Sequence, residues 1–182
     1  KDAYNSDLES VDFKNIDHIV FAGMGGSGAI GDLFASILST TNIHVSLVKG
    51  YLLPNTVDKN TLVVTTSVSG DTVETLTVLD SAHKLDCNII AFSSGGKMEE
   101  YCIKNQINYK KIESIHSPRA SFAKFIFSIL KILSSIIPIN KQEITQSIES
   151  IENLSQKISS NNLSETNPSL DLANFISGIP LV

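Results

Sequence analysis

Two glycine- and hydroxyl-rich segments, residues 23–28 and residues 67–72, hold the residues best suited to chemistry in this chain. The first reads GMGGSG and the second SVSGDT, and each follows a short apolar run and precedes a helical pattern. The carboxyl ends of strands in a parallel α/β sheet face one rim, so both turns would present backbone N–H groups and helix N-termini to one ligand. The pair therefore predicts a single anion site.

The second segment adds three hydroxyl groups to the predicted site, from Ser67, Ser69 and Thr72. Hydroxyls donate hydrogen bonds to phosphate oxygens, so this set suits a phosphate better than a metal ion or a bare carboxylate. The simplest alternative is that both turns are tight strand-to-helix corners, in which glycine permits a positive φ and a hydroxyl caps the helix. Two hydroxyl-rich corners on neighbouring strands favour a ligand over that alternative.

The elements that must position these turns are short strands separated by helices. Apolar residues at three- and four-residue steps predict a helix after the first strand and another after the third. Runs of strand length recur at residues 18–22, 43–48, 62–66, 87–92 and, more weakly, 107–112. This alternation is typical of right-handed βαβ units, and it predicts an α/β fold with a doubly wound parallel sheet of five strands.

From residue 121 the pattern becomes helical. A long apolar helix is expected to about residue 137, Pro138 ends it, and residues 141–159 form a second helix with one apolar stripe. This C-terminal helical hairpin either caps the sheet edge or forms a homodimer surface, because the first helix is unusually apolar. The predicted division is a domain at residues 1–138, a helical extension at 139–160, and a linker with the start of a second domain at 161–182.

The length and composition of the chain exclude several classes of protein. The 182 residues suffice for one well-buried core plus an appendage, and a net charge of −5 offers no basic surface for nucleic acid. The chain opens without a charged-then-apolar leader, and its most apolar stretch, residues 122–137, is shorter than the roughly 20 residues of a membrane span. Cys87 and Cys102 form no CxxC pair, so we expect buried thiols in a reducing, cytoplasmic compartment.

A dinucleotide-binding fold of the Rossmann type is one alternative, because Gly23, Gly25 and Gly28 have GxGxxG spacing. That fold uses an acid about 20 residues on, at the end of the second strand, to bind the ribose hydroxyls. The second strand ends instead in LVKG, where Lys49 could meet only a 2′-phosphate. No Gly-Lys-Ser/Thr follows the glycines, which also argues against a Walker-type nucleotide site.

Three motifs together resemble the signatures of the sugar isomerase (SIS) domain, in the form found in bifunctional phosphoglucose/phosphomannose isomerases. They are GMGGSG at residues 23–28, SVSGDTVET at 67–75 and SPRASF at 117–122. The similarity runs from about residue 18 to the end, where the chain resembles the entry into a second SIS domain. The resemblance implies a flavodoxin-like sheet and the interconversion of glucose 6-phosphate or mannose 6-phosphate with fructose 6-phosphate, without metal or organic cofactor.

The resemblance also implies roles for individual residues. The family's phosphate-binding residues are matched by Ser27, Ser67, Ser69 and Thr72, and the backbone that approaches the sugar is matched by Gly25 and Gly26. Arg119 matches the arginine that stabilises the enediolate formed when a proton leaves the carbon beside the carbonyl. A fixed guanidinium next to that developing oxyanion lowers the barrier.

The family's carboxylate base and ring-opening histidine belong to its second domain, beyond the residues of this chain. An isomerase needs a base within hydrogen-bond reach of the proton, so we expect residues 1–182 to bind a phosphosugar but to turn it over poorly or not at all. Four residues of this chain were considered as replacements for that base or histidine, and they are better interpreted as structural or solvated. They are Asp32, Glu74, Glu113 and His116. A non-catalytic phosphosugar sensor is the alternative function.

Overall fold

The computed structural model describes residues 2–5, 8–138 and 140–177, and the chain divides into two units, Lys1–Pro138 and Ile139–Val182. The first holds α1 (Asp2–Asn5), β1 (His18–Ala22), α2 (Gly25–Leu38), β2 (His44–Val48), β3 (Thr61–Ser67), α3 (Val73–Lys84), β4 (Asn88–Ser93), α4 (Gly96–Asn105), β5 (Asn108–Lys111) and α5 (Pro118–Ile132). The second holds α6 (Lys141–Ile158) and α7 (Pro168–Ile176).

The five strands form one parallel sheet in the order β2-β1-β3-β4-β5, as expected of a flavodoxin-like fold. β1 and β3 are neighbours, and Ala22 at the end of β1 pairs with Thr65 of β3. The chain reverses its direction of progress across the sheet between these two strands, which makes their carboxyl ends the switch point of the fold. A dinucleotide-binding fold has the order 3-2-1-4-5-6, so the observed order departs from that alternative.

Helices cover both faces of the sheet, which explains why the central strands are apolar on successive residues. α2 and α5 pack against each other on one face, where Phe34 of α2 stacks on Phe21 of β1 at a ring separation of 5.3 Å. On the other face, α3 and α4 contribute Val78, Leu79, Met98 and other residues to a buried cluster with β1, β3 and β4. Every residue of β1 and β3 is buried as a result.

The connection from β2 to β3 contains no helix, in agreement with the sequence, which shows no helical pattern there. Its residues Leu53 and Val57 pack against the apolar cluster on the α3 side of the sheet. This segment therefore covers the part of that face that a crossover helix would otherwise bury.

Two helices differ from the sequence expectation. α4 (Gly96–Asn105) was not indicated by the periodicity, because only Met98 and Cys102 of its ten residues are buried. α5 begins at Pro118, where Ser117 caps it by accepting a hydrogen bond from the Ala120 N–H at 3.2 Å, and it ends at Ile132, five residues before the expected end.

The second unit contains a strongly amphipathic helix and a shorter one that contact each other. Asn140 and Glu143 form a reciprocal capping box at the start of α6, which fixes where that helix begins. Asn167 caps α7 through the N–H groups of Ser169 and Leu170. The expected start of a second domain lies partly in α7 and partly in residues 178–182, which are outside the described residues.

No helix among the residues that the structure describes is both long and apolar enough to cross a bilayer. α5 contains the start of the most apolar stretch of the sequence, residues 122–137, and its buried residues include Phe125, Ile129 and Ile132. Because α5 packs against α1 and α2, its apolar side is covered without a second copy of the chain. The covered apolar side of α5 therefore gives no support to a homodimer, which stays a prediction from the sequence.

A polar cluster links β1, β2 and β3 at the amino-terminal rim of the sheet. The His18 ring contacts Ser46 Oγ at 2.9 Å through Nε2 and Thr61 Oγ1 at 3.3 Å through Nδ1. The ring centroid of His44 lies 4.7 Å from that of His18. Burial, followed by the neighbouring His44 ring, lowers the pKa of His18, and the weaker effects of Asp17 and Asp58 act in the opposite direction.

This depressed pKa makes the fold sensitive to acid. The unfolded chain binds a proton at His18 more readily than the folded chain, so stability falls as pH drops below about 6.5 and through the lower folded pKa. Replacing the exposed His44 with Gln removes one cause of the shift, and we expect a smaller fall in the melting temperature between pH 7.5 and pH 5. His116→Gln, in the exposed loop before α5, is the control and should leave the fall unchanged. An undiminished fall in His44→Gln would contradict this coupling.

Candidate functional site

The first turn follows β1 and is held tightly at both of its ends. The Gly23 N–H donates to the carbonyl of Val48 at 3.1 Å, which ties the turn to the end of β2. A Cβ on Gly23 would lie 2.9 Å from the Ser27 carbonyl carbon, and a Cβ on Gly28 would lie 2.9 Å from the Gly23 carbonyl oxygen. The outer glycines are therefore required by close backbone packing.

The middle of the first turn is open. Gly25 has a φ of +54°, and a Cβ on Gly25 or on Gly26 would meet nothing within 4 Å. Both residues are exposed, Ser27 is half-buried, and within the described part of the chain no group accepts a hydrogen bond from the N–H of Gly25 or Gly26. Two backbone donors therefore face open space at the N-terminus of α2, a geometry that suits an anion.

The second turn follows β3, and each of its three hydroxyl groups makes a local hydrogen bond. The buried Ser67 Oγ lies 2.9 Å from Thr72 Oγ1 and accepts from the Gly70 N–H at 3.1 Å. Ser69 is exposed, and its Oγ accepts from the Asp71 N–H at 3.2 Å. The structure thus brings Ser67 and Thr72 into direct contact and leaves Ser69 facing solvent beside them.

Thr72 occupies the N-cap position of α3, yet its side chain makes no capping hydrogen bond, because its hydroxyl is turned toward Ser67. The interpretation of Thr72 as an ordinary N-cap therefore holds for its position but not for its hydroxyl. Among the described residues, no acceptor meets the N–H groups of the first three residues of α3, Val73, Glu74 and Thr75. A second open helix N-terminus therefore lies beside the hydroxyls.

A third turn, Ser93 to Gly96 after β4, supports the second turn and was missed from the sequence. Ser94 donates through its Oγ to the Val68 carbonyl at 2.6 Å, and its N–H donates to the same oxygen at 3.1 Å. A Cβ on Gly70 would collide with the Gly95 carbonyl oxygen. The signal was present in the sequence, since SSGG follows the fourth apolar run just as the other turns follow theirs.

The third turn differs from the other two because protein groups accept hydrogen bonds from the N–H groups at the start of the helix that follows it. At the start of α4, the Lys97 N–H donates to Asp71 Oδ1 at 3.0 Å and the Met98 N–H donates to the Gly70 carbonyl at 2.9 Å. Tyr109 closes this region through its hydroxyl, which lies 3.0 Å from Ser93 Oγ, and burial raises its pKa. The N-terminus of α4 therefore anchors the second turn instead of facing a ligand.

Arg119 belongs to neither turn, since it is the second residue of α5. Its side chain is exposed and, across the residues that the structure describes, it makes no hydrogen bond or ion pair. Because α5 follows β5 and packs back along the sheet beside α2, it begins at the rim that carries the turns. Its guanidinium is consequently available to a ligand there.

The other candidate groups are engaged elsewhere or exposed. Asp32 pairs with Lys49 at 2.7 Å, so the lysine considered for a 2′-phosphate is already neutralised. Glu113 pairs with Lys124 at 3.4 Å, and His116 is an exposed loop residue. Within the described ranges, no group of three or more histidine, cysteine, aspartate or glutamate residues could hold a metal ion.

The two open turns lie side by side because β1 and β3 are adjacent. Ser67 follows Thr65, the partner of Ala22, by two residues, so both turns leave the sheet at the same level on one rim. α2 and α3 then depart to opposite faces, the arrangement in which open α/β sheets bind ligands in a crevice at the switch point. The arrangement offers amide and hydroxyl donors from both sides to a group that carries several acceptor oxygens.

Two relatives named bifunctional phosphoglucose/phosphomannose isomerase match the chain. The one from Caldicellulosiruptor bescii is 32% identical over 81% of this chain and 44% of its own length, and the one from Pyrobaculum calidifontis is 31% identical over 80% and 47%. The chain therefore spans about half the length of these curated relatives.

Solved structures share the fold at lower identity. Tagatose-6-phosphate ketose/aldose isomerase from Escherichia coli superposes with a TM-score of 0.58 and 16% identity, covering 80% of this chain and 44% of that one. The model of the SIS domain family matches residues 12–136, which include both open turns, the third turn and Arg119. With its five-stranded parallel sheet and glycine-rich turns at the switch point, the chain belongs to the SIS domain family.

Proposed function

We propose that this chain binds a phosphosugar and forms the phosphosugar-binding part of an aldose–ketose isomerase that interconverts glucose 6-phosphate or mannose 6-phosphate with fructose 6-phosphate. The observation that carries the proposal is the pair of open helix N-termini, at α2 and α3, that flank one crevice with hydroxyls between them. The names of the relatives support an isomerase of phosphoglucose and phosphomannose.

The phosphoryl group takes the position between the turns. The N–H groups of Gly25 and Gly26 and the hydroxyl of Ser27 donate from the α2 side, while Ser69 and Thr72 donate from the α3 side. Ser67 is fully buried, so its part is to orient the Thr72 hydroxyl and complete the set of donors. Two helix N-termini aimed at one dianion add a favourable electrostatic contribution without a metal ion.

The chemical step places negative charge on oxygen as the proton leaves the carbon beside the carbonyl. In the proposed mechanism, the guanidinium of Arg119 stabilises this enediolate, because a planar donor with a permanent charge can bind both of its oxygens. The proton itself requires a base within hydrogen-bond reach. By the resemblance, that base and the ring-opening histidine are in the family's second domain, so residues 1–182 alone would bind substrate with little turnover.

A non-catalytic phosphosugar sensor is the second function considered from the sequence. It would use the same turns for the phosphate but would not require Arg119 to interact with an enediolate. The names of the relatives favour the isomerase. A cytoplasmic location and a homodimer remain predictions from the sequence, and light scattering would measure the oligomeric state.

The first test concerns the phosphate-binding hydroxyls. We expect fructose 6-phosphate, at about 100 times its Kd, to raise the melting temperature by about 5–10 °C. The double variant Ser69→Ala with Thr72→Ala should abolish this shift, because it removes the exposed and the half-buried hydroxyl donors of the second turn. Differential scanning calorimetry provides the measurement.

Ser81→Ala is the matched control for this test. It deletes a hydroxyl on α3 whose only hydrogen bond, among the described residues, goes to the Thr77 carbonyl at 2.9 Å, away from the turn. The control should keep the full ligand-induced shift. If the double variant also keeps the full shift, the phosphate binds elsewhere and the proposed site is wrong.

The second test separates Arg119 from phosphate binding. Arg119→Ala should weaken binding of a phosphorylated sugar hydroxamate, a planar anion that mimics the enediolate, by about tenfold or more. It should weaken binding of fructose 6-phosphate much less, because the charge is absent from the ground state. Calorimetric titration of both ligands measures the two effects.

Arg119→Lys and Lys124→Ala complete this comparison. The first keeps the charge but loses the planar fork, so we expect partial retention of hydroxamate binding. The second removes a cation from the same helix, paired with Glu113, and should change neither affinity. Equal losses for the two ligands in Arg119→Ala would reassign Arg119 to substrate docking.

A further inference from the structure

The backbone of the second turn is held by hydrogen bonds from the third turn and from the start of α4. The carbonyl of Val68 accepts from the N–H of Ser94 at 3.1 Å and from its Oγ at 2.6 Å. The carbonyl of Gly70 accepts from the Met98 N–H at 2.9 Å. Ser69 lies between these two residues and is exposed. The backbone on both sides of Ser69 is therefore fixed by groups outside the turn.

Asp71 adds a side-chain contact to these backbone contacts. Its Oδ1 accepts from the Lys97 N–H at 3.0 Å, in the first turn of α4. Gly96, with a φ of +71°, packs against the same turn, because a Cβ there would lie 2.9 Å from Asp71 Oδ1 and 2.6 Å from the Ser69 carbonyl oxygen. The N–H of Asp71 donates to Ser69 Oγ at 3.2 Å. Asp71 therefore connects the start of α4 to the hydroxyl of Ser69.

The charge of Asp71 is unfavourable for a phosphate site. A carboxylate repels a phosphate dianion, and Asp71 stands between Ser69 and Thr72 in the chain. The carboxylate is stabilised instead at the N-terminus of α4, where the helix dipole and a backbone N–H favour an anion. Any contribution of Asp71 to phosphate binding must therefore come from the geometry that it imposes on the turn.

We propose that Asp71 is a positioning residue for phosphate binding, whose carboxylate anchors the second turn to α4 and whose N–H fixes the Ser69 hydroxyl. Because Ser69 Oγ accepts the hydrogen bond from Asp71, its own hydrogen is free to donate to the phosphate. Donors that are already ordered lose less entropy when a ligand binds. This inference rests on the proposed function, since it takes Ser69 as a donor to the phosphate.

Titration calorimetry of the 182-residue chain with two probes, inorganic phosphate and fructose 6-phosphate, tests the inference. Asp71→Ala removes the anchor and should weaken both probes by the same factor, about tenfold, because the affected donor serves the phosphate. Asp71→Asn keeps an oxygen that can accept from the Lys97 N–H and removes the charge that repels phosphate. It should bind both probes at least as tightly as the unsubstituted chain.

Asp80→Ala is the matched control, because Asp80 of α3 is also linked to α4. The Tyr101 hydroxyl donates to Asp80 Oδ1 at 2.9 Å, further along both helices from the second turn. This variant should lower the melting temperature and leave the affinity of both probes unchanged. If Asp71 contributed to stability alone, the two alanine variants would show the same unchanged affinities.

Asp71→Gln moves the accepting oxygen by one methylene, so it should also weaken both probes, and it replaces Asp71→Ala if circular dichroism shows that variant to be unfolded. Unchanged phosphate affinity in Asp71→Ala, or an equal loss in Asp71→Asn or Asp80→Ala, would overturn the inference. A loss confined to fructose 6-phosphate would also overturn it, because the effect would then lie outside the phosphate donors. If the unsubstituted chain binds neither probe, the proposed function itself is wrong.

Discussion

Direct contact between Gly70 and the carbonyl group of Gly95 is the constraint on which the site depends. Gly70 has a φ of +77°, and any side chain there would collide with the third turn. The same packing brings the Asp71 carboxylate to the Lys97 N–H, so the second turn caps α4. The donors of α4 are thereby used within the protein, whereas those of α2 and α3 remain open. In the proposed function, an anion is consequently directed to the switch point between β1 and β3.

The sequence predicted the strands most accurately where both faces of the strand are buried, because such strands are apolar on successive residues. β1 and β3 are buried along their whole length and were found within one residue at either end. β5 gave a weak signal because its residues are half-buried or exposed at the sheet edge. α4 gave none, since just Met98 and Cys102 face the core, and it forms because the second turn caps it and β4 needs cover. Such tertiary requirements leave little trace in periodicity.

The two open turns were predictable because their glycines and hydroxyls act within six consecutive residues. The third turn has the same local signal in SSGG, but its supporting role was not predictable, because that role depends on contacts such as that of Ser94 with Val68, 26 positions away in the chain. The sequence assigned a role to Arg119 only through the resemblance to a family. Its location depends on how α5 packs against α2, which no local pattern contains.

Binding and chemistry are separable in the proposed mechanism. The phosphate donors are mainly backbone groups and short hydroxyls held by the turns, so little side-chain entropy is lost when a ligand binds. Arg119 is different, because it is a cation at the N-terminus of α5, where the helix dipole is unfavourable to positive charge. An enediolate beside it would interact favourably with the guanidinium and with the helix N-terminus together. The electrostatic cost present in the free chain is therefore relieved most when negative charge develops on the substrate, which is the condition for accelerating a reaction rather than only binding its substrate.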